Sequence, residues 1–184
     1  MQRLNLTAVH RKAAKNLEDS LRHYEEASNE LAEEFVELKL QACIFQYDIC
    51  AEMIAFLRNK PTGFATAVAL KGLVLRLYEY DELLNTAFIP RLLSLAETRG
   101  VTFDRANVKQ ARILWKIELA RLKKWKDVRN EVAGHYGKDM RRQVELLKQI
   151  DPSEVMTVAK AFLSFNMSLL VGLRDAGRGV AGAA

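Results

Sequence analysis

Apolar or small residues fall at Leu17, Leu21, Tyr24, Ser28, Leu31, Phe35, Leu38, Ala42, Phe45 and Ile49, a 4-3 alternation sustained over more than four heptads. That period belongs to an amphipathic helix with one seam. It predicts a helix over 16–59 that ends at Asn59-Lys60-Pro61-Thr62-Gly63. Glu25, Glu26, Glu30, Glu33, Glu34 and Glu37 occupy its other face and are expected to meet water. Residues 64–88 are apolar nearly all round, which predicts a central helix, and Pro90 restarts a short one to Thr98. Beyond Gly100, Asp104 is a candidate N-cap for a helix over 105–133. Its expected buried stripe is Val108, Ala111, Ile113, Leu114, Ile117, residues 119–122, Trp125, Val128 and Val132.

Gly134 and Gly137 bracket His135 and Tyr136, a loop signal at a helix C-terminus. A shorter helix is expected over 138–150. Asp151-Pro152-Ser153-Glu154 then combines an Asp cap, Pro at the first helical position and Glu at the third, which predicts a helix over 152–175. The expectation is an all-α bundle of four long helices (16–59, 64–88, 105–133 and 152–175) with short helices between them. It forms a single domain over 1–176, followed by a flexible tail over 177–184.

Composition agrees with few turns: 9 Gly and 3 Pro in 184 residues are about half the usual share, which excludes disorder and loop-rich scaffolds. The longest uncharged run, 161–173, falls short of the roughly 18 to 20 residues that cross a bilayer, so no membrane partner is expected. The first residues carry no apolar secretion core, and cytoplasmic residence is the expectation. Cys43 and Cys50 stand about 10.5 Å apart along one helix and cannot bridge each other. No Cys-x-x-Cys or His-x-x-x-His spacing occurs, so neither a metal site nor a cofactor is expected.

Charge changes the picture more. The segments 1–15, 16–60, 61–104 and 105–184 carry +4, −6, −1 and +8. Within 121–142, Arg121, Lys123, Lys124, Lys126, Arg129, Lys138, Arg141 and Arg142 face only Asp127, Glu131 and Asp139. Such a stretch is either a solvated helix face or the footprint of a polyanion.

One stretch gathers chemistry. Across Arg129-Asn130-Glu131-Val132-Ala133-Gly134-His135-Tyr136, a guanidinium, an amide and an imidazole crowd a helix end. On a continuous helix Arg129 and His135 would diverge by about 120°. A left-handed turn at Gly134 could remove that divergence. An Arg fork can then hold a phosphate while a His of near-neutral pKa transfers a proton.

Arg129-Asn130 with His135 five intervening residues on, set late in an all-helical chain, resembles the HEPN superfamily. The resemblance implies a helical bundle that forms a symmetric homodimer with the two motifs meeting in a cleft. It also implies a metal-independent endoribonuclease, in a toxin, antiphage or RNA-processing setting, with a cognate inhibitor protein as a further partner. Carried over, Arg129 would bind and polarise the scissile phosphate, Asn130 would orient it, and His135 would act as general base or acid. RNA would also meet Lys123, Lys124, Lys126 and Tyr136. Some members carry a Tyr two residues after the His; here Tyr136 follows directly, a departure from that pattern. A homodimer is independently suggested by a seam longer than a bundle of this size easily covers.

The other reading is a non-catalytic helical dimer that serves as a protein-interaction module. Arg129 would then pair with Glu131 or an acid of another helix, and His135 would meet helix-end carbonyls. Glu79, Asp81 and Glu82 are either an ordinary solvated turn or the acidic partner that orients Arg129 or His135. Trp115 and Trp125 are core residues or base-stacking platforms. His10 and His23 have no partner that the sequence identifies.

Overall fold

A computed structural model describes residues 5–28, 30–100, 103–133 and 139–181, and every element among them is helical, with no strand. The 16–59 helix is two helices, α1 (Leu6–Glu25) and α2 (Glu30–Asn59). They run antiparallel: His10 stacks on Tyr47, Ser20 hydrogen-bonds Cys43, and Lys39 hydrogen-bonds His23, so partners descend α2 as they climb α1. Folding back covers one side of α2 within the chain, and Leu38, Ala42, Phe45 and Ile49 of the seam are buried. Leu21 and Tyr24 of the same seam, on α1, stand 41% and 38% exposed. Glu34 and Glu37 pair with Arg91 while their side chains stay 44% and 41% exposed.

After the break at Lys60 and Gly63, both at positive φ, α3 (Phe64–Leu83) passes through a π-helical turn, Leu84–Phe88, into α4 (Ile89–Thr98). Pro90 explains the wide turn, since proline has no N–H and its ring collides with the carbonyl four residues back. Side chains occupy carbonyls near this turn: Asn85 donates to the Asp81 carbonyl and Thr86 to that of Glu82. As its all-round apolarity predicted, α3 is central, with Leu70, Leu73, Val74 and Leu77 at 0–1% exposure.

Asp104 caps α5 (Arg105–Ile113) with a reciprocal capping box to Asn107. The 105–133 helix is not continuous. The chain turns at Leu114 and Trp115 into α6 (Lys116–Ala120), tightens into a 3₁₀ stretch (Arg121–Trp125), and passes α7 (Lys126–Val128) into a second π-helical turn (Arg129–Ala133). The winding follows from Leu119, Leu122, Trp125 and Val128, all buried and each three residues apart. An α-helix would carry such a series off its face, whereas three residues per turn keep it there. Because the phase changes at residue 114, Ile113, Leu114 and Ile117 leave the expected buried stripe and stand 53%, 71% and 73% exposed.

The helix α8 (Met140–Lys148) is capped by Asp139, and α9 (Pro152–Ala181) starts where Asp151 accepts from the Ser153 amide at 2.8 Å. Continuous to Ala181, α9 includes the first five residues of the expected tail. Phe162, Phe165 and Leu169 of α9 meet α2 and α3 in the core. A buried relay ties the three together: the Tyr80 hydroxyl donates to Asn166 Oδ1, and Asn166 Nδ2 donates to the Ala42 carbonyl at 2.9 Å.

By length and mean hydropathy, Ala32–Asn59 and Pro152–Arg174 could each cross a bilayer, although no uncharged run is long enough. Their buried residues, among them Ile49, Met53, Val158 and Phe162, line the core.

Candidate functional site

An open groove of about 1170 Å³ runs between one wall from α3, its π-helical turn and α4, and another from α5 through Asn130. Both π-helical turns line it, the first through Asn85 and Thr86, the second through Arg129 and Asn130. Such turns are uncommon and recur at functional sites, because widening a helix re-aims side chains.

Arg129 is half-buried and lines the groove. Its guanidinium lies 3.6 Å from a Glu82 carboxylate oxygen, donates to Asn130 Oδ1 at 3.0 Å, and sits 5.7 Å from the centre of the Tyr78 ring. Of the three acids singled out on the central helix, Glu82 meets Arg129, Asp81 pairs with Arg112 at 2.8 Å, and Glu79 is solvent-exposed. Glu131 does not pair with Arg129 but meets Arg142, which also holds Asp127. His135 and Tyr136, like Gly134 and Lys138, lie outside the described residues.

Three lysines proposed from sequence separate. Lys123 and Lys126 line the groove, exposed. Lys124 does not line it; its ammonium lies 3.0 Å from Glu154 of α9, a carboxylate shared with Arg121. The 3₁₀ winding separates neighbours in sequence by about 120° around the axis, which turns Lys124 away from Lys123.

Sequence reasoning missed the cations of the long wall. Arg105, Lys109, Arg112 and Lys116 all line the groove, and their 4-3-4 spacing was a legible signal, since it is the spacing of one helix face. Arg112 is clamped, donating to Asp81 and to Asn85 Oδ1 at 2.8 and 2.6 Å, and so ties α5 to α3. Arg105, Lys109, Lys116, Lys123 and Lys126 have no ion pair among the described residues. Seven cations and two acids therefore share one concave surface, an arrangement that attracts extended anions.

The tryptophans serve packing: Trp125 is 3% exposed and Trp115 packs against the core. Cys43 and Cys50 are free buried thiols, and burial pushes both up, Cys50 to about 11. What these features define is an all-helical protein with a cationic cleft. In comparisons with known proteins, the chain matches no family model, no curated protein and no solved structure.

Proposed function

We propose that the chain is a HEPN-like helical bundle acting as a metal-independent endoribonuclease, with RNA in the cationic groove and Arg129, Asn130 and His135 as its catalytic group. The observation that carries this reading is the position of Arg129 and Asn130, hydrogen-bonded to each other in the lining of a groove that holds seven cations. A phosphodiester chain can spread its charge along Lys109, Lys116, Lys123 and Lys126 while one phosphate meets the Arg129 guanidinium. Glu82 and Tyr78 steady that guanidinium, limiting the entropy lost when a phosphate arrives.

In the proposed reaction His135 withdraws the proton of an RNA 2′-hydroxyl, whose oxygen attacks the adjacent phosphorus. The bond to the 5′-oxygen breaks, that oxygen takes up a proton, and a 2′,3′-cyclic phosphate remains. Arg129 balances charge on the non-bridging oxygens, and Asn130 orients the phosphate. A homodimer in the cytoplasm, with a toxin or defence role and a cognate inhibitor protein, completes the reading.

A second reading, a non-catalytic helical dimer that binds a partner protein, is favoured by the ion pair that already gives Arg129 an acidic partner. Cleavage of structured and unstructured RNAs by purified protein separates the two. The nuclease reading expects His135→Ala to lower the rate by about 10²- to 10⁴-fold with RNA binding retained. Chelator should leave the wild-type rate unchanged. Lys123→Ala should weaken RNA binding more than Lys124→Ala, whose side chain belongs to Glu154. Absence of any cleavage that His135→Ala abolishes turns the conclusion to the interaction module.

A further inference from the structure

The corner between α5 and α6 is the most exposed apolar feature among the described residues. Leu114 and Ile117 stand 71% and 73% exposed, and Ile113 stands 53% exposed beside them. Trp115 in their midst packs inward against the core and anchors the corner, so the aliphatic side chains project from a fixed base. Soluble surfaces carry single exposed aliphatics without consequence, but three exposed aliphatics within five residues mark a contact.

The surroundings indicate the kind of contact. Residues 105–126 carry eight cations against Glu118 alone. Lys109 stands one helical turn before Ile113 and Lys116 three residues after it, and all three line the same groove wall. Neither lysine has an ion pair among the described residues. A nucleic acid would satisfy the cations yet offer no hydrocarbon for Leu114 and Ile117. A second copy docking through the same face would bring unpaired cations against unpaired cations, which opposes association. An anionic bilayer supplies both needs at once: phosphate and carboxylate headgroups for the lysines, and acyl chains for three exposed aliphatic side chains.

We propose that the α5–α6 corner docks this protein peripherally on anionic lipid bilayers, with Ile113, Leu114 and Ile117 inserted at the headgroup boundary and Lys109 and Lys116 set against the headgroups. The contact is with a surface and needs no spanning segment. It shares Lys109 and Lys116 with the groove proposed for RNA but not Leu114 and Ile117, which do not line that groove, so a change at those two residues separates the readings.

The test is co-sedimentation of the full chain with phosphatidylcholine vesicles prepared with and without phosphatidylserine. Wild-type protein should bind the phosphatidylserine vesicles and not the neutral ones. Leu114→Glu combined with Ile117→Glu should abolish binding while circular dichroism stays that of wild type, as expected for exposed positions. Lys109→Ala and Lys116→Ala should each weaken binding by about fivefold, the usual weight of one lysine near an anionic surface. RNA cleavage by the Leu114→Glu, Ile117→Glu double variant, measured in parallel, reports on the groove separately. Absence of binding to phosphatidylserine vesicles, equal binding to neutral ones, or binding that survives the double variant would each overturn the proposal. So would light scattering in which the double variant turns a dimer into a monomer.

Discussion

The α2–α3–α9 centre and the strip from α5 to the second π-helical turn use apolar residues in opposite ways. In the centre, helices of 20 and 30 residues run unbroken and bury Leu38, Ile49, Leu77, Phe162 and Phe165 to 0% exposure. The strip is divided into pieces of 3 to 9 residues, and three of its aliphatics stand more than half exposed. The difference teaches what interrupts a helix when no proline or glycine does. Leu119, Leu122, Trp125 and Val128 hold the strip at every third residue, and its backbone takes the winding that keeps them inside. Cations on the remaining face stay out, because burying them unpaired would cost more than the packing gained.

The comparison is broken most severely by matched truncations. Phe162→Ala should cost about 3 to 5 kcal/mol by denaturant unfolding, the usual penalty for an aromatic cavity in a closed core. Ile117→Ala should stay within about 0.5 kcal/mol, as an exposed position does. Similar losses at the two sites would mean that the strip is packed as tightly as the centre.

A smaller effect belongs to pH. Burial pushes the Cys50 thiol up to about 11 from its ordinary value of 9.0, so the fold holds the neutral form. Below pH 9 this costs nothing. Between pH 9 and 11 the unfolded chain releases the proton and the folded chain keeps it, so stability falls as pH rises, by about 2 to 3 kcal/mol at most. Unfolding curves of wild type and Cys50→Ala across that range should show the slope attributed to the thiol only in wild type.

The smallest expected effect sharpens the comparison within the strip. Asp104→Ala removes the side-chain half of the capping box on α5, the bonds that its carboxylate accepts from the Ala106 and Asn107 amides, and should cost about 1 kcal/mol. Because α5 is short and lies at the edge, hydrogen exchange should quicken in α5 and leave α3 and α9 unchanged. Uniform acceleration would show that the strip and the centre open as one unit.

Much of the fold was legible because its signals are local. The stop at Asn59, the Asp104 cap, the Asp151-Pro152 start and the all-round apolarity of α3 are written within a few residues of where they act. The fold-back after Glu25 was not, because no proline or glycine marks it. Its trace is Ser28-Asn29 before Glu30, a cap signal hidden under a heptad pattern that α1 and α2 share in phase. Likewise the apolar spacing at 119–128 is consistent with part of a helical stripe, and only a strict count of threes distinguishes the tighter winding.

The sequence by itself determined that this is a helical protein with an acidic segment over 16–60 and a basic one over 105–184. Tertiary structure alone decided that Lys123 faces the groove while Lys124 turns to Glu154, that Arg112 is clamped by Asp81 and Asn85, and that Glu82 meets Arg129. Caps, breakers and periodicity arise from atoms three or four residues apart, whereas each of those pairings joins residues 27 to 47 positions apart and waits on how the helices pack.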